Sequence, residues 1–426
     1  MKKIVLALAL LASSALGQQP RSVVLKAARL FDGTSDNVIR NATVIIEGNR
    51  ITSIGGAVPP NAQLIDLGDA TLLPGFIDAH VHLTQEAGPN WYLDFFTVLM
   101  RQPAEQALLA TTYARKTIEA GFTTVRNVGA RDYVDVGLRN AINNGWVVGP
   151  RMLVSAYAIS STGGHGDNPP VPPARGVPQL GPIEGVCNGT GECRAAVRYQ
   201  IKYGADVIKF MPSGGVLSLA DPVDAPELSQ EEMNAIVEEA HHWGRKVAAH
   251  CHGDAAARMA VQAGVDSIEH GSFMKPETLA MMRDRGVYLV PTLLAGDWVM
   301  RQIDKYPPAI AAKGRAAVAA RSDMFRNALK SGVKIAFGTD SAVSPHGLNA
   351  LEFALMTGLG MSPAAALHSA TSSAATLLGV EDRLGTLAAG KLADIIAVPG
   401  NPLDDIHQTE HVFFVMKDGQ IVKNAK

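Results

Sequence analysis

The chain has 426 residues, of which 47% are hydrophobic and 18% are charged, and its formal net charge is −2. This length and composition allow one large buried core and a second, smaller one. The near-neutral charge, with no basic run and no interleaved aromatic residues, argues against a nucleic-acid-binding protein.

The N-terminal residues have the pattern of a cleavable export signal. Lys2 and Lys3 precede an apolar run over 4–11, and small residues stand at Ala15 and Gly17. The run is too short to span a bilayer easily. We therefore expect a signal peptide over 1–17 and a periplasmic or secreted mature protein that is not attached to a membrane.

The two ends of the mature chain are predicted to form one small β domain. Residues 23–54 and 393–422 alternate between apolar and polar residues, with turns at Asp32-Gly33 and Gly48-Asn49. We expect 18–71 and 380–426 to meet as a discontinuous β-sandwich. The remaining segment, 72–379, would be inserted between its halves.

The inserted segment alternates short apolar runs with amphipathic stretches of helix length, such as 230–243, 254–264 and 276–286. This alternation is typical of parallel βα units, and eight runs predict an α/β fold, a (β/α)8 TIM barrel. The runs are 70–84, 122–128, 152–159, 206–211, 246–251, 267–270, 288–293 and 334–340.

Potential metal ligands stand at or near the ends of five of these runs. They are His80, His82, Lys209, His250, His270 and Asp340. In a strand, residues i and i+2 face the same side, so the imidazoles of a His-x-His pair converge. One such pair is weak evidence, because His250 and His252 form another. The common position at strand ends, where barrels carry their chemistry, predicts a hydrolytic metal centre.

The motifs around these residues resemble the amidohydrolase superfamily in its binuclear form, with a carboxylated lysine that bridges two metals. They are PGFIDAHVH (74–82), GADVIK (204–209), AAH (248–250), IEHG (268–271), FGTDS (337–341) and GKLADIIAV (390–398). The subgroup that the chain resembles contains Xaa-Pro dipeptidases (prolidases), aminoacyl carboxypeptidases and ochratoxinase.

The resemblance implies a ligand set for two divalent ions, most simply zinc, although manganese or cobalt would also suit it. His80, His82 and Asp340 would hold the first ion, His250 and His270 the second, and carboxylated Lys209 would bridge them. A metal-bridging hydroxide would attack the amide, and Asp340 would carry its proton to the departing amine. The alternatives are a solvent-facing lysine at 209 and an Asp340 that caps the next helix.

Three further residues are candidates for binding substrate: His165, His252 and Tyr157. Alternatively, His165 orders its glycine-rich loop, His252 caps the following helix and Tyr157 belongs to the core. His165 lies in a Gly- and Pro-rich segment, 161–191, that is either a lid or a surface excursion. Many relatives have an Arg-Asp pair after the second run, whereas here Asn127 follows Arg126, which puts one supporting charge in doubt.

The predicted function is hydrolysis of an N-acyl or aminoacyl amino acid that releases the C-terminal amino acid, with ochratoxin A among the candidate substrates. A cyclic-amide hydrolase resembling imidazolonepropionase is the alternative enzyme, and a metal-binding protein without turnover is the alternative of another class. The resemblance also implies a homo-oligomer, for which an octamer is the specific expectation. In an oxidising compartment Cys187 and Cys193 either pair as a local disulfide or stay free.

Overall fold

The computed structural model describes residues 22–88, 90–219 and 221–425. The predicted export signal over 1–17 lies outside these residues and stays a prediction. The described strands are β1 (Val23–Leu30), β2 (Ile39–Glu47), β3 (Arg50–Ile54), β4 (Gln63–Asp66), β5 (Ala70–Pro74), β6 (Phe76–Val81), β7 (Phe122–Asn127), β8 (Arg151–Val154), β9 (Val207–Phe210), β10 (Lys246–Cys251), β11 (Ser267–His270), β12 (Tyr288–Val290), β13 (Ile395–Pro399), β14 (Phe414–Lys417) and β15 (Gln420–Asn424).

The described helices alternate with β6 to β12 and continue to the end of the inserted segment. They are α1 (Trp91–Met100), α2 (Pro103–Glu119), α3 (Val134–Asn143), α4 (Gly189–Tyr203), α5 (Gln230–His242), α6 (Asp254–Ala263), α7 (Pro276–Arg285), α8 (Leu293–Arg301), α9 (Pro308–Ser331), α10 (Leu351–Gly358), α11 (Pro363–His368) and α12 (Ala374–Leu378). Local signals set several of these bounds. At the start of α5, for example, Ser229 and Glu232 satisfy each other's backbone N–H groups, and Gly264 ends α6 with a φ of 96°.

Strands β6 to β12 form two parallel sheets, in the orders β6-β7-β8 and β9-β10-β11-β12. Backbone hydrogen bonds continue from one sheet to the other, because Ile159 N donates to Lys209 O at 2.8 Å. On the far side, Ala336 N donates to Leu289 O at 3.0 Å and Asp340 N donates to His80 O at 2.8 Å. Each of the eight predicted runs is therefore hydrogen-bonded to its neighbours in chain order, and the α/β class is confirmed.

The eighth run departs from the prediction, because 334–340 contains isolated bridges and no regular strand. Ile335 bridges to Leu289, and Ser341, just beyond the run, bridges to Val81. Asp340 has a φ of 56°, far from the values of regular strands, and Phe337 N donates to Ser369 O, outside the neighbouring strands. The run therefore turns at the point where it carries Asp340.

The strands from the two ends of the chain lie in one sheet of eight, in the order β15-β14-β13-β5-β1-β2-β3, with β4 paired to β1. The antiparallel pair β13–β5 joins the C-terminal strands to the N-terminal ones. This eight-stranded sheet has an apolar cluster of its own, which includes Leu25, Leu72, Ile395 and Phe414. The sequence predicts a sandwich here, and the structure has one continuous hydrogen-bonded sheet.

Cys187 and Cys193 are joined as a disulfide that ties the beginning of α4 to the segment before it. Cys251 is free and buried, and it packs in the main apolar cluster between the strands and helices. Among the helices of the described residues, none combines the length and the apolar composition needed to cross a bilayer.

Candidate metal centre

Two imidazoles at the end of β6 converge on one carboxylate oxygen. His80 Nε2 lies 3.5 Å from Asp340 Oδ1, and His82 Nε2 lies 3.4 Å from the same atom. On the other side of each ring, His80 Nδ1 lies 2.7 Å from Glu269 Oε2 and His82 Nδ1 lies 3.0 Å from Gly129 O. Because a carboxylate and a carbonyl accept hydrogen bonds, each Nδ1 donates, and each Nε2 keeps its lone pair for a metal.

The backbone around Asp340 turns its carboxylate toward these rings. Its φ of 56° is left-handed, a conformation that non-glycine residues adopt mainly where the surrounding structure imposes it, often at functional sites. Burial raises the pKa of the carboxyl, but its interactions with His80, His82 and Lys209 outweigh burial and lower the pKa overall. Asp340 is therefore an anion at neutral pH, as a metal ligand must be.

Strands β10 and β11 contribute a second group of imidazoles. His250, His252 and His270 each offer a ring nitrogen within 4.8 Å of the others, and His270 groups in the same way with His80 and Asp340. His270 therefore lies between the two groups, and its Nδ1 is 2.7 Å from Thr292 Oγ1. Burial and the neighbouring imidazoles hold the pKa of His250 and His270 well below the ordinary value, so both rings are neutral and able to bind a metal.

The geometry adds one residue to the predicted arrangement. The sequence-based assignment gives His250 and His270 to the second ion and His252 to the substrate. In the structure, a ring nitrogen of His252 lies within 4.8 Å of one on His250 and one on His270, so His252 belongs to the same group. Its Nδ1 lies 2.9 Å from Ser272 Oγ, so Nε2 is the ring nitrogen that is left for another partner.

Lys209 in β9 has a buried amine without a partner. Lys209 is 1% exposed, and its Nζ has no hydrogen-bond partner among the described residues. Burial lowers the pKa of the amine to about 8, although Glu269 and Asp340 oppose this. A buried ammonium without hydrogen bonds is costly, whereas a neutral amine can take up carbon dioxide and become an anionic ligand.

An ion pair behind the site supports His80 and was not anticipated from the sequence. Glu269 in β11 accepts from Arg126 Nη2 at 2.8 Å, in addition to its contact with His80. Burial raises the pKa of Glu269, but Arg126 and His80 outweigh it and lower the pKa to about 2. The only sequence signal was a carboxylate inside a buried strand, directly before the proposed ligand His270.

The replacement of the usual aspartate by Asn127 leaves a carboxylate nearby. Asn127 Oδ1 accepts from Leu83 N at 2.7 Å, and Nδ2 donates to Asp135 Oδ2 at 3.2 Å. Asp135 is buried, and burial raises its pKa to about 6. The amide thus links the loop after His82 to an acid on α3.

Two of the candidate substrate-binding residues have defined supports. The ring centroid of His165 lies 4.5 Å from that of His250, and its Nδ1 lies 2.9 Å from Ser218 Oγ. A Cβ at Gly215 would lie 2.0 Å from the His165 ring, so only glycine fits there. The Tyr157 hydroxyl accepts from Asp132 N at 2.9 Å, which holds the phenol in the wall of the site.

A cavity of about 510 Å³ opens onto these residues. Its wall contains His80, His82, Lys209, His250, His270 and Asp340, together with His165, His252 and Tyr157. Much of the remaining lining is apolar, including Trp91, Leu217, Val299 and Val318. A largely apolar pocket with a few converging polar groups is the usual form of a small-molecule site.

The side chains present fit a pair of divalent ions. Neutral imidazoles and a carboxylate are the ligands that zinc, manganese and cobalt accept in proteins. His250 Nε2 is buried without a hydrogen-bond partner among the described residues, as is Lys209 Nζ. Buried polar atoms are nearly always satisfied, so these two indicate groups that the chain itself does not supply.

Comparison with known proteins agrees with this site. The model of the amidohydrolase family matches residues 71–423. Ochratoxinase of Aspergillus niger is 32% identical over 434 residues, covering 95% of this chain and 87% of the relative. A crystal structure of an Xaa-Pro dipeptidase with methionine bound in its active site superposes with a TM-score of 0.88 at 41% identity, covering 95% of this chain and 100% of that one. Imidazolonepropionase of Acinetobacter baumannii is 25% identical over 405 residues, covering 89% of this chain and 92% of the relative.

The chain belongs to the amidohydrolase family. It is a hydrolase that acts on C–N bonds of amides in small molecules, and it is similar to an Xaa-Pro dipeptidase and to ochratoxinase. Members of this family are typically binuclear metal-dependent enzymes, and the histidine clusters described above could hold such ions.

Proposed function

We propose that this protein hydrolyses the amide bond of N-acyl or aminoacyl amino acids and releases the C-terminal amino acid. One observation carries the proposal. Two groups of potential metal ligands, which have His270 in common, line the same cavity as Lys209, whose buried amine has no hydrogen-bond partner among the described residues. The relatives support the substrate class, because one acts on ochratoxin and another is an Xaa-Pro dipeptidase with a free amino acid in its active site. The ring of eight hydrogen-bonded runs supports the (β/α)8 barrel as the scaffold.

The site is proposed to hold two divalent ions, for which zinc is the expectation. His80, His82 and Asp340 would hold one, and His250 and His270 the other, with carboxylated Lys209 between them. When bound, such ions supply Lewis acidity toward a carbonyl oxygen and lower the pKa of water to about 7. The hydrogen bonds that the ring nitrogens form with Glu269, Gly129 and Thr292 fix the rings, so little reorganisation is needed.

Asp340 is the residue proposed to move the proton. Its carboxylate faces the cavity and lies within 3.5 Å of two ring nitrogens, so it reaches the point where the attacking water must lose a proton. The same oxygen can then deliver that proton to the amine nitrogen as the C–N bond breaks. His165 and His252 also line the cavity and would contact the substrate.

Export and self-association are parts of the same proposal. The disulfide between Cys187 and Cys193 supports a periplasmic or secreted location, since disulfides persist in oxidising compartments. The outer face of α1 supports a homo-oligomer, because Tyr92, Leu93 and Met100 are 58%, 61% and 76% exposed.

The test is a hydrolysis panel with zinc-loaded protein that contains N-acyl amino acids, Xaa-Pro dipeptides, ochratoxin A, a cyclic imide and an imidazolone. We expect free C-terminal amino acid from the linear substrates and no product after chelation. Turnover of the cyclic substrates alone would overturn the substrate assignment in favour of the imidazolonepropionase-like alternative. No turnover of any amide would contradict the proposed function as a whole.

A further inference from the structure

Three arginines line the cavity, and one has a carboxylate beside it, one a side-chain amide and one only a backbone carbonyl. Arg101 Nε lies 3.7 Å from a carboxylate oxygen of Glu105, and Arg131 Nη1 donates to Asn168 Oδ1 at 2.7 Å. Arg321, on α9, donates only to a backbone carbonyl, that of Leu293. Within the described ranges of the chain, no carboxylate forms an ion pair with it.

The acids that come nearest to Arg321 are already engaged. Glu352 accepts from the N–H groups of Leu293 and Leu294 at 2.8 and 2.6 Å, and Asp297 pairs with Arg301 at 2.9 Å. Apolar residues of α8 and α9, including Val299, Ala317 and Val318, line the same cavity. A cation in such surroundings is costly unless an anion joins it.

The position of Arg321 links it to the reaction centre. Its guanidinium contacts Leu293, and the preceding residue, Thr292, is hydrogen-bonded to His270 at 2.7 Å. Gly296 makes this approach possible, since a Cβ there would lie 2.1 Å from Arg321 Nη1. The cation therefore reaches the cavity beside the residues that support the central imidazole.

We propose that Arg321 binds the free carboxylate of the substrate, so that the enzyme selects acylated amino acids and peptides with an ionised C terminus. The inference rests on the proposed function and adds an anchor to it. A guanidinium presents two parallel N–H groups, which match the two oxygens of a carboxylate. When Arg321 holds the carboxylate, the amide bond to be cleaved lies at a fixed distance from it, at the metal centre.

The experiment compares matched substrates, an N-acyl amino acid and the same compound with a C-terminal carboxamide, on wild type and Arg321→Gln. We expect wild type to prefer the acid. In Arg321→Gln, the KM for the acid should rise by about 10- to 100-fold, while kinetics on the carboxamide stay unchanged. Gly296→Ala should change the acid preference in the same direction, because it displaces the guanidinium and keeps its charge.

The control variants are Arg326→Gln, which removes an exposed arginine from α9, and Arg131→Gln, which removes the other candidate anchor. Both should keep the wild-type ratio of acid to carboxamide hydrolysis, and zinc content and thermal unfolding should match wild type throughout. An unchanged ratio in Arg321→Gln, or a ratio lost in Arg131→Gln instead, overturns this inference and leaves the proposed function standing. A wild type that cleaves neither substrate overturns both.

Discussion

Two basic side chains on neighbouring parallel strands, the half-buried Arg151 and the buried Lys209, differ in what surrounds them. Arg151, the first residue of β8, donates to Thr124, Asp394 and Asp418 at 3.0, 2.8 and 2.5 Å. Lys209, near the carboxyl end of β9, has no hydrogen-bond partner for Nζ among the described residues. The basic side chain at one edge of the strands thus has hydrogen-bond acceptors, whereas the one at the other, open edge has none among the described residues.

The difference separates a stabilising edge from a reactive one. The ion pairs of Arg151 tie β8 to the sheet formed by the chain ends, because Asp394 precedes β13 and Asp418 follows β14. Lys209 faces the cavity that contains the histidine groups. In barrels of parallel strands, chemistry gathers at the carboxyl ends and stability at the amino ends. Substitutions at the two edges should therefore change different properties.

The largest effect is expected from Asp340→Asn, which removes the proposed proton carrier from the open edge. We expect kcat to fall by about 10²- to 10⁴-fold, because general acid–base catalysis contributes that much. Metal content, measured by plasma mass spectrometry, shows whether the ions remain. Retained metal with lost turnover fits an enzyme, whereas unchanged turnover would remove Asp340 from the chemistry.

Lys209→Ala should lower kcat at least about a hundredfold, more than the loss of an outer support of a ligand causes. Short carboxylates such as propionate should restore part of the activity, since they can occupy the place of the carbamate. The matched control is Lys202→Ala, which removes an exposed lysine of α4. Full activity of Lys209→Ala without added carboxylate contradicts the bridging role.

Arg151→Met should destabilise the protein by about 2–3 kcal/mol, less than a fully buried pair would cost, because Asp418 is 36% exposed. Its kcat per folded molecule should match wild type. Urea unfolding gives the stability, and Arg115→Met, which breaks an exposed pair on α2, should change it by about 0.5 kcal/mol or less. A large loss of kcat would erase the distinction between the two edges.

The smallest effect is a pH dependence at the Arg151 edge. Burial raises the pKa of Asp418, but Arg151 and Lys417 outweigh burial and lower it. A lowered folded-state pKa stabilises the fold above the ordinary aspartate pKa of about 3.9, and this contribution disappears as the pH falls through the folded-state value. The stability gap between wild type and Arg151→Met should therefore narrow below about pH 4. A constant gap from pH 7 to pH 3 would contradict this.

The sequence predicts the elements well where the pattern is local. β10, β11 and α5 to α7 lie within a residue or so of their predicted bounds, because buried parallel strands are continuously apolar and the helices between them are amphipathic. The run over 334–340 fails as a strand because its turn at Asp340 depends on contacts with β6.

The candidate metal ligands could be predicted as a set because each stands at or near the end of an apolar run. Their supports could not be, since a support is defined by a contact across the fold. Glu269 and His80 are 189 residues apart in the chain. Nothing in the sequence marks Arg321 as a binding residue, because an arginine on a long helix is usually exposed to solvent. Only its position in the cavity wall distinguishes it.

We propose that the groups at the open edge of the strands hydrolyse amides with the help of bound metal. The most direct measurement is a zinc titration of chelator-stripped protein, with release of free amino acid from an N-acyl amino acid followed at each ratio of zinc to protein. We expect no turnover without zinc and full turnover when two ions are bound per chain. Equal turnover by the stripped protein, or none at any zinc content, would contradict it.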